Sequence, residues 1–328
     1  MAVTTENLGS STNTQYLLST YYDKVLLQRL EPKTRFYQFA EKKKLPKGQG
    51  RVIKWSAFKQ APVGSTLTEG TVPAAIALST FNVTGTLVQK GSYTTTSDVL
   101  EMTAIDNVVK DALSVMADAG ARTLDTYIQG AMAGVADVSA VPTGAGFYLM
   151  YSNANSAASG LLSTLTSGAV LTVAEIRRVV TALRTMNVPT MDDGYYVGII
   201  HPAAAATLEA DTTWASWNQY TNPQAMYKGE IGRVEGVRFV DSTLCYTTTS
   251  GTASSGTTTA YFTYIFGKGA YGVADIDGGI KTYVKNPNQY NTSDPLNQFS
   301  SIGYKMTTAA AILNISCGRI LVSASSTA

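Results

Sequence analysis

The spacing of apolar residues changes from two to three-and-four near residue 98, and that change divides the chain. Before it, Arg51–Phe58 (Arg-Val-Ile-Lys-Trp-Ser-Ala-Phe) partly alternates and is rich in β-branched and aromatic residues, which predicts a strand. Phe81–Val88 alternates cleanly and is expected to pair back toward it. Between them, residues 61–73 hold two prolines and two glycines, which suit a turning tip and not a ladder. The whole arm, Lys47–Thr96, has legs of about 25 residues that at ~3.3 Å each reach on the order of 60–80 Å. A two-stranded ribbon is marginal alone in water, so this one is expected to lie on another body, a second copy of the chain being the first candidate.

From Asp98 the pattern is helical. Met102, Ile105, Val109, Leu113, Met116, Gly120, Leu124 and Tyr127 fall on one face of a helix running to about Met132, roughly 50 Å long at ~1.5 Å per residue. Asp98 followed by Glu101 has the form of a capping box. Gly120 on the inward face predicts close approach of another element.

The flanking segments read less strongly. Residues 1–15, rich in Thr, Asn and Ser, form an extended arm, and Leu17, Leu18, Tyr21, Tyr22, Val25, Leu26 and Leu30 predict a short helix over Tyr16–Leu30, ended by Pro32. After the long helix, 133–170 holds a strand at Phe147–Tyr151. Thr172-Val173-Ala174-Glu175 is a capping box opening a helix with Val173, Ile176, Val179, Val180, Leu183 and Met186 inward. Strand Tyr195–Ile200, helix Ala203–Ala210 and strand Arg238–Asp241 complete an α/β lobe of roughly 100 residues. Thr247–Thr259 is low-complexity and predicts a loop tip. Late strands at Ala260–Phe266, Val273–Ile276, Ile280–Val284 and Ala309–Ile315 need partners, so the first lobe is expected to be built from both chain ends with the central lobe inserted.

Composition sharpens this. A chain of 328 residues exceeds the roughly 250–300 residues one core serves, predicting two domains. Charged residues are only 15% against 45% hydrophobic, a balance expected where much of the surface is covered by protein. A net charge of +2 does not give the footprint of a dedicated nucleic-acid binder. Cys245 and Cys317 lack metal-ligand spacing and read as free thiols. The start of the chain lacks a signal peptide, and apolar runs such as Ala309–Ile315 fall short of the ~20 residues that span a bilayer.

The chemistry inventory is thin. Gly267-Lys268-Gly269-Ala270-Tyr271-Gly272 has G-x-G-x-x-G spacing, but strand and turn follow where a pyrophosphate needs a helix N-terminus, so a strand junction is expected. Asp275-x-Asp277-Gly278 lacks the distal Glu of a calcium loop and reads as a β-turn. His201 is the single histidine, so His-based zinc clusters are excluded. At a strand end before Pro202 it predicts a structural hydrogen bond, with a general base as the alternative. Asp192-Asp193 in a turn have no opposing carboxylate pair. Arg177, Arg178 and Arg184 share a helix face, and Lys42-Lys43-Lys44-Leu45-Pro46-Lys47 is the strongest charge run; both read as solvated, with a phosphate-facing patch as the alternative. No catalytic residue, cofactor or metal is expected.

Several motifs in order carry a resemblance: Leu45-Pro46-Lys47-Gly48-Gln49-Gly50, Thr66-Leu67-Thr68-Glu69-Gly70-Thr71-Val72-Pro73, Gln89-Lys90-Gly91-Ser92-Tyr93, His201-Pro202, Tyr227–Arg238, Phe266–Gly272, Asp294-Pro295-Leu296 and Gly303-Tyr304-Lys305. Together they resemble the tailed-phage major capsid proteins of the Hong Kong 97-type fold, within a podophage-type branch. The resemblance implies an α+β fold divided into an N-terminal arm with short helix (1–46), an extended loop (47–97), a peripheral domain with spine helix (98–170 and 271–328) and an axial α/β domain (171–270). It implies hexamers and pentamers in an icosahedral shell around double-stranded DNA, held by weak non-specific contact, in a virion assembled in the host cytoplasm. A portal, a separate scaffolding protein and a decoration protein are the further partners it implies; no membrane is. On this reading Trp55, Phe58, Glu69 and Lys90 are candidate contacts between subunits, and Lys42, Lys43, Lys44, Arg177 and Arg178 candidate DNA-facing residues. Two departures stand out: no cleavable N-terminal scaffolding segment is expected, and no Lys–Asn cross-link site matches. An encapsulin-like nanocompartment, an enzyme using His201 and a secreted adhesin are the alternatives.

Overall fold

The computed structural model describes residues 34–324 apart from 47, 49, 65, 73–74, 104–107, 136–145, 153–164, 166–167, 215–229, 251–257 and 286–297. The arm 1–15 and the helix expected at Tyr16–Leu30 lie outside the described residues. In chain order the strands are β1 (Glu41–Leu45), β2 (Val52–Phe58), β3 (Thr80–Thr86), β4 (Val88–Ser97), β5 (Tyr148–Tyr151), β6 (Tyr196–Ile200), β7 (Glu230–Val234), β8 (Val237–Asp241), β9 (Thr247–Ser250), β10 (Thr258–Phe266), β11 (Tyr271–Lys285), β12 (Phe299–Ile312) and β13 (Gly318–Ala324). The helices are α1 (Asp98–Thr103), α2 (Val108–Ala133), α3 (Val173–Thr185) and α4 (Pro202–Glu209).

One four-stranded sheet, in the order β1-β11-β12-β4, joins distant parts of the chain. The lysine run Lys42–Lys44, read from the sequence as a solvated stretch, is exposed but forms the middle of β1, paired in parallel with Val273–Asp275. An edge strand tolerates lysines because the long stems reach solvent from either face. Val88–Ser97, expected as part of the extended loop, runs antiparallel along β12 from Thr308 to Phe299. Nor does Asp275–Gly278 turn the chain: β11 continues through it with a register shift between Asp275 and Ile280, a bulge that absorbs the extra residues.

α2 packs along β12, β11 and β4. The close approach expected at Gly120 is present, since a Cβ there would lie 3.2 Å from both Ile280 and Tyr304. Leu124, Ile128 and Met132 are buried farther along the helix. The start differs from expectation. Ser97 Oγ accepts the N–H of Leu100 at 3.3 Å, so Ser97 caps α1 and the Asp98–Glu101 box is displaced by one residue, Asp98 being already helical. Met102, expected inward, is 76% exposed together with Val99 and Leu100, because α1 extends past the end of the sheet that α2 packs on.

The second sheet runs β5-β13-β10-β6-β8-β7, with β9 beside the start of β10. β6 and β8 are parallel, and α4 lies in the crossover that parallel pairing requires. α3 opens as predicted, Thr172 accepting from the N–H of Glu175 at 3.4 Å, with Val173, Ile176, Val179, Val180 and Leu183 buried. Met186, expected on that face, is exposed, since the helix ends at Thr185 and Asn187 takes a left-handed φ of 53° that turns the chain away. Three strands of this sheet were not expected: β7, β9 inside the low-complexity stretch, and β13. β13 sits between β5 and β10 with every residue buried, so 318–324 belongs to this sheet and not to the lobe of α2.

One continuous apolar cluster links the two sheets through α2 and Phe36. Phe36 meets Tyr264 edge-on at 5.2 Å, and the Tyr271 hydroxyl donates to the Phe36 carbonyl at 2.6 Å. The segment carrying Phe36 is fixed by a fully buried carboxylate on α2. Asp125 Oδ2 accepts the N–H of Arg35 at 2.8 Å and Oδ1 that of Tyr37 at 2.7 Å. Burial raises the Asp125 pKa above its ordinary value, and the backbone N–H groups of Arg35, Tyr37 and Phe36 pull the other way.

Candidate assembly interface

β2 and β3 form a two-stranded ribbon of their own, antiparallel from Val52↔Thr86 to Phe58↔Thr80. Its base is anchored. Ile53 and Leu87 are buried with Ala274 and Ala309, and Trp55 and Leu45 pack against that cluster. The Trp55 ring lies over two glycines: a Cβ on Gly85 would come within 2.8 Å of it, and one on Gly272 within 3.2 Å. Only residues without side chains let the indole settle between the ribbon and β11. A half-open cavity of about 370 Å³ lies beneath, lined in part by Lys43, Trp55, Phe81, Val83, Lys268 and Cys317.

Beyond the base the ribbon is bare. Phe58 is 71% exposed, and along the tip Val63, Leu67, Val72 and Leu78 are exposed to between 71% and 96%. Soluble monomers rarely present so continuous an apolar edge, and such edges mark protein contacts. Glu69 is exposed at this tip.

The four candidate contact residues therefore divide. Phe58 and Glu69 stand free of the subunit, whereas Trp55 is used in anchoring the ribbon and Lys90 Nζ lies 4.7 Å over the ring of Tyr127 on α2. The five basic candidates are not gathered in one place. Lys42 Nζ sits 4.2 Å over the Tyr37 ring, while Lys43 and Lys44 are exposed on the β1 edge. Arg177 makes two hydrogen bonds to Glu235 Oε1, at 2.9 and 2.7 Å, which raise its pKa. Arg178 pairs with Glu175 at 2.8 Å and donates to the Tyr151 carbonyl.

The motifs weighed for chemistry have structural places. Gly267 and the residues after it make the junction of β10 with β11, where a Cβ on Gly267 would come within 2.3 Å of the Pro189 carbonyl. Asp192 pairs with Lys268 at 2.6 Å and Asp193 with Arg238 at 2.9 Å. Cys245 and Cys317 are free and buried, and burial raises both thiol pKa values. Among the described residues no group of three or more His, Cys, Asp or Glu could hold a metal ion, and no helix is long and apolar enough to cross a membrane.

His201 caps α4: its Nδ1 accepts the N–H of Ala203 at 3.1 Å, and its ring stacks 4.9 Å from Tyr261. The lone pair a general base would use is thereby committed. Burial lowers the His201 pKa below its ordinary value. A group with a lowered folded pKa stabilises fully above its unfolded pKa, roughly 6.5, and that contribution is lost as pH falls through the folded value. His201→Asn, which keeps a capping acceptor without titrating, is expected to flatten the fall of Tm between pH 7.5 and 5 relative to the unchanged chain. The cap is worth about 1 kcal/mol, and parallel Tm–pH curves for the two proteins would refute the assignment.

Comparison with known proteins follows from this geometry. The family model described as phage capsid protein matches residues 102–286, which include α2, the strands β5–β10 and all of β11. The chain belongs to the phage capsid protein family. This capsid protein matches no curated protein by sequence. In structure it is similar to the capsid of Ralstonia phage GP4 (TM-score 0.71, 12% identity, 99% of this chain and 98% of that one). It is similar too to the capsid of cyanophage P-SCSP1u (0.67, 17%, 95% and 94%) and to cyanophage Pam1 (0.70, 12%, 98% and 100%). The α+β architecture expected from the motifs is thus the fold of these capsid structures. Membership makes the capsid protein a structural component of the virion, not an enzyme, and does not favour the encapsulin alternative.

Asp125 escaped the sequence reading. The signal for it was present, since Asp125 shares a helical face with Ile128 and Met132, and a carboxylate on an apolar face calls for a specific partner.

Proposed function

We propose that this capsid protein builds an icosahedral shell of hexamers and pentamers that encloses double-stranded DNA, and that it assembles in the host cytoplasm with a separate scaffolding protein and a portal. The observation that carries the reading is the β2–β3 ribbon, whose apolar tip is exposed among the described residues. In this reading the four-stranded sheet with α2 forms the peripheral domain, which β1 from the end of the arm region 1–46 joins as an edge strand, and the second sheet with α3 and α4 forms the axial domain. Phe58 and Glu69 contact a neighbouring subunit, while Trp55 and Lys90 set the ribbon and sheet from within. Arg177 and Arg178 contribute little to DNA because their charge is already matched by Glu235 and Glu175. No subunit cross-links form, so a denaturing gel of particles shows one monomer band. Expression with a scaffolding protein, followed by electron microscopy and light scattering, tests the proposal. Closed shells are expected; monomers alone would overturn it, and shells carrying a cargo enzyme in place of DNA would redirect it to a nanocompartment.

A further inference from the structure

β10 leads directly into β11, and β12 into β13; the first and last of these four pair in the second sheet and the middle two in the four-stranded sheet. The two sheets are therefore joined through one antiparallel pair, bent between the rungs Phe266↔Gly318 and Tyr271↔Ile312. Regular pairing stops between those rungs, where 267–270 face the longer stretch 313–317. Gly269 takes a left-handed φ of 72°, and Ile315–Cys317 is a 3-10 turn. Hydrogen bonds close the two ends of the bend, from the N–H of Gly267 to the Cys317 carbonyl at 3.0 Å and from that of Leu313 to the Ala270 carbonyl at 2.9 Å. A crossing confined to so few residues, with such a glycine inside it, is where two rigid sheets can turn against each other. The bend also gives Lys268, Gly269, Leu313, Asn314 and Cys317 to the lining of the half-open cavity of about 370 Å³, so solid packing does not brace it there.

Residues 35–45 lie across this bend and hold both sides of it. Toward the second sheet, Phe36 is fully buried and meets Tyr264 edge-on, and Phe39 meets Phe266 at 6.3 Å. Toward the four-stranded sheet, the Tyr271 hydroxyl donates to the Phe36 carbonyl, the Tyr37 hydroxyl donates to Asp275 Oδ2 at 3.1 Å, and Glu41–Leu45 pairs with Gly272–Ile276. α2 is the third support: Asp125 accepts from the N–H groups of Arg35 and Tyr37, and Gln129 Nε2 donates to the Tyr264 hydroxyl at 2.9 Å. Phe36 is thus wedged where α2, β10 and β11 meet. Neighbouring residues on the segment grip opposite sides of the bend, and their Cα atoms stay ~3.8 Å apart whatever the strain. A turn of one sheet against the other must then break one set of contacts or the other.

We propose that Arg35–Leu45 is a strap that sets the angle between the two sheets, locking a hinge formed by 267–270 and 313–317. While the strap is seated the subunit keeps one angle; detached, it leaves α2 as the remaining brace and opens a range of angles to the same sequence. The assignment goes beyond the proposed function, because it concerns the single subunit whether or not shells form.

Distances between paired nitroxide labels test it in the full-length chain, with labelled subunits diluted by unlabelled ones. Labels at Lys305→Cys on β12 and Thr185→Cys at the end of α3, both exposed, report the angle, and Cys245→Ala with Cys317→Ala removes the native thiols from every protein compared. Two variants release the strap: Phe36→Ala, and the milder pair Tyr37→Phe with Asp125→Asn, which leaves one side-chain acceptor for two N–H groups. Each is expected to broaden the distance distribution by on the order of 5 Å, as a rotation of about 15° does over a domain-sized lever. Val179→Ala, which empties core volume under α3 away from the strap, is expected to lower Tm without broadening it. Unchanged distributions in both strap variants would overturn the assignment and leave α2 to set the angle. Equal broadening in Val179→Ala would overturn it too, since any loss of packing would then free the hinge. If Phe36→Ala fails to fold, the milder pair decides. Exchange protection retained at the Arg35 and Tyr37 amides in that pair would show that these side chains do not hold the strap, and would overturn it equally. None of these outcomes depends on shell formation, so the proposed function stands or falls separately.

Discussion

Deleting Pro62–Pro73 is expected to abolish shell assembly while leaving the subunit folded and equally stable. The deleted residues lie beyond the last pair of the ribbon, Phe58↔Thr80, and beyond the anchor at Ile53, Trp55 and Leu87. Val63, Leu67 and Val72 are exposed in the subunit, so their removal costs its core nothing. Covering a side chain of this size contributes about 1.5–3 kcal/mol. Three of them supply roughly 5–9 kcal/mol of gross apolar burial per tip as an upper bound, which is comparable with the whole free energy of a micromolar contact. Denaturant unfolding of the deletion is expected to agree with the unchanged chain within about 0.5 kcal/mol. Sedimentation and electron microscopy should find capsomers or subunits and no closed particles. Shells of normal size from the deleted chain would remove the ribbon from its assigned role.

Replacing Asp125 by Ala is expected to cost about 2–4 kcal/mol of stability. Two buried N–H groups, of Arg35 and Tyr37, lose their acceptors, at about 1–3 kcal/mol each, and relief from burying a carboxylate returns part of that. The pH dependence has a definite sign. Asp125 has a folded pKa raised above 3.8, so the folded state holds its proton more firmly than the unfolded one. Stability from this group is greatest at acid pH and declines as pH rises from the unfolded value through the folded one. The gap between the unchanged chain and Asp125→Ala should therefore be widest in acid and narrow toward neutrality. Hydrogen exchange of the Arg35 and Tyr37 amides is the more direct probe, and their protection should collapse in the variant. Protection and stability both unchanged would mean that Phe36 and Tyr271 hold the 34–40 segment without the carboxylate.

How much of this was legible in the sequence follows from how local each signal is. The helical period after residue 98 and the Thr172 cap depend on neighbours within a turn or two, and both elements form where their periodicity placed them. Gly120 was readable for the same reason. β13 was not: Gly-Arg-Ile-Leu-Val-Ser-Ala has no alternation, because a strand buried on both faces needs none, and short apolar runs do not announce their partners. The lysine run became a strand only because β11, far away in sequence, offers it a parallel edge. At the candidate interface, the exposed half was legible from the prolines and glycines of the tip. The anchoring half was not, since Trp55 reads equally well as a contact with another molecule until Gly272 is seen beneath it. The cross-strand rows of the four-stranded sheet needed the registers of three strands before they existed at all.

The position of β13 also bears on how the protein is made. Ribosomes deliver β5 and β10 long before Gly318–Ala324, the strand that must slide between them. Until then two strand edges stand open and the larger core lacks its middle, and pairings this distant in sequence close slowly. A nascent chain halted before residue 318 thus carries an extended loop but no finished body to mount it on.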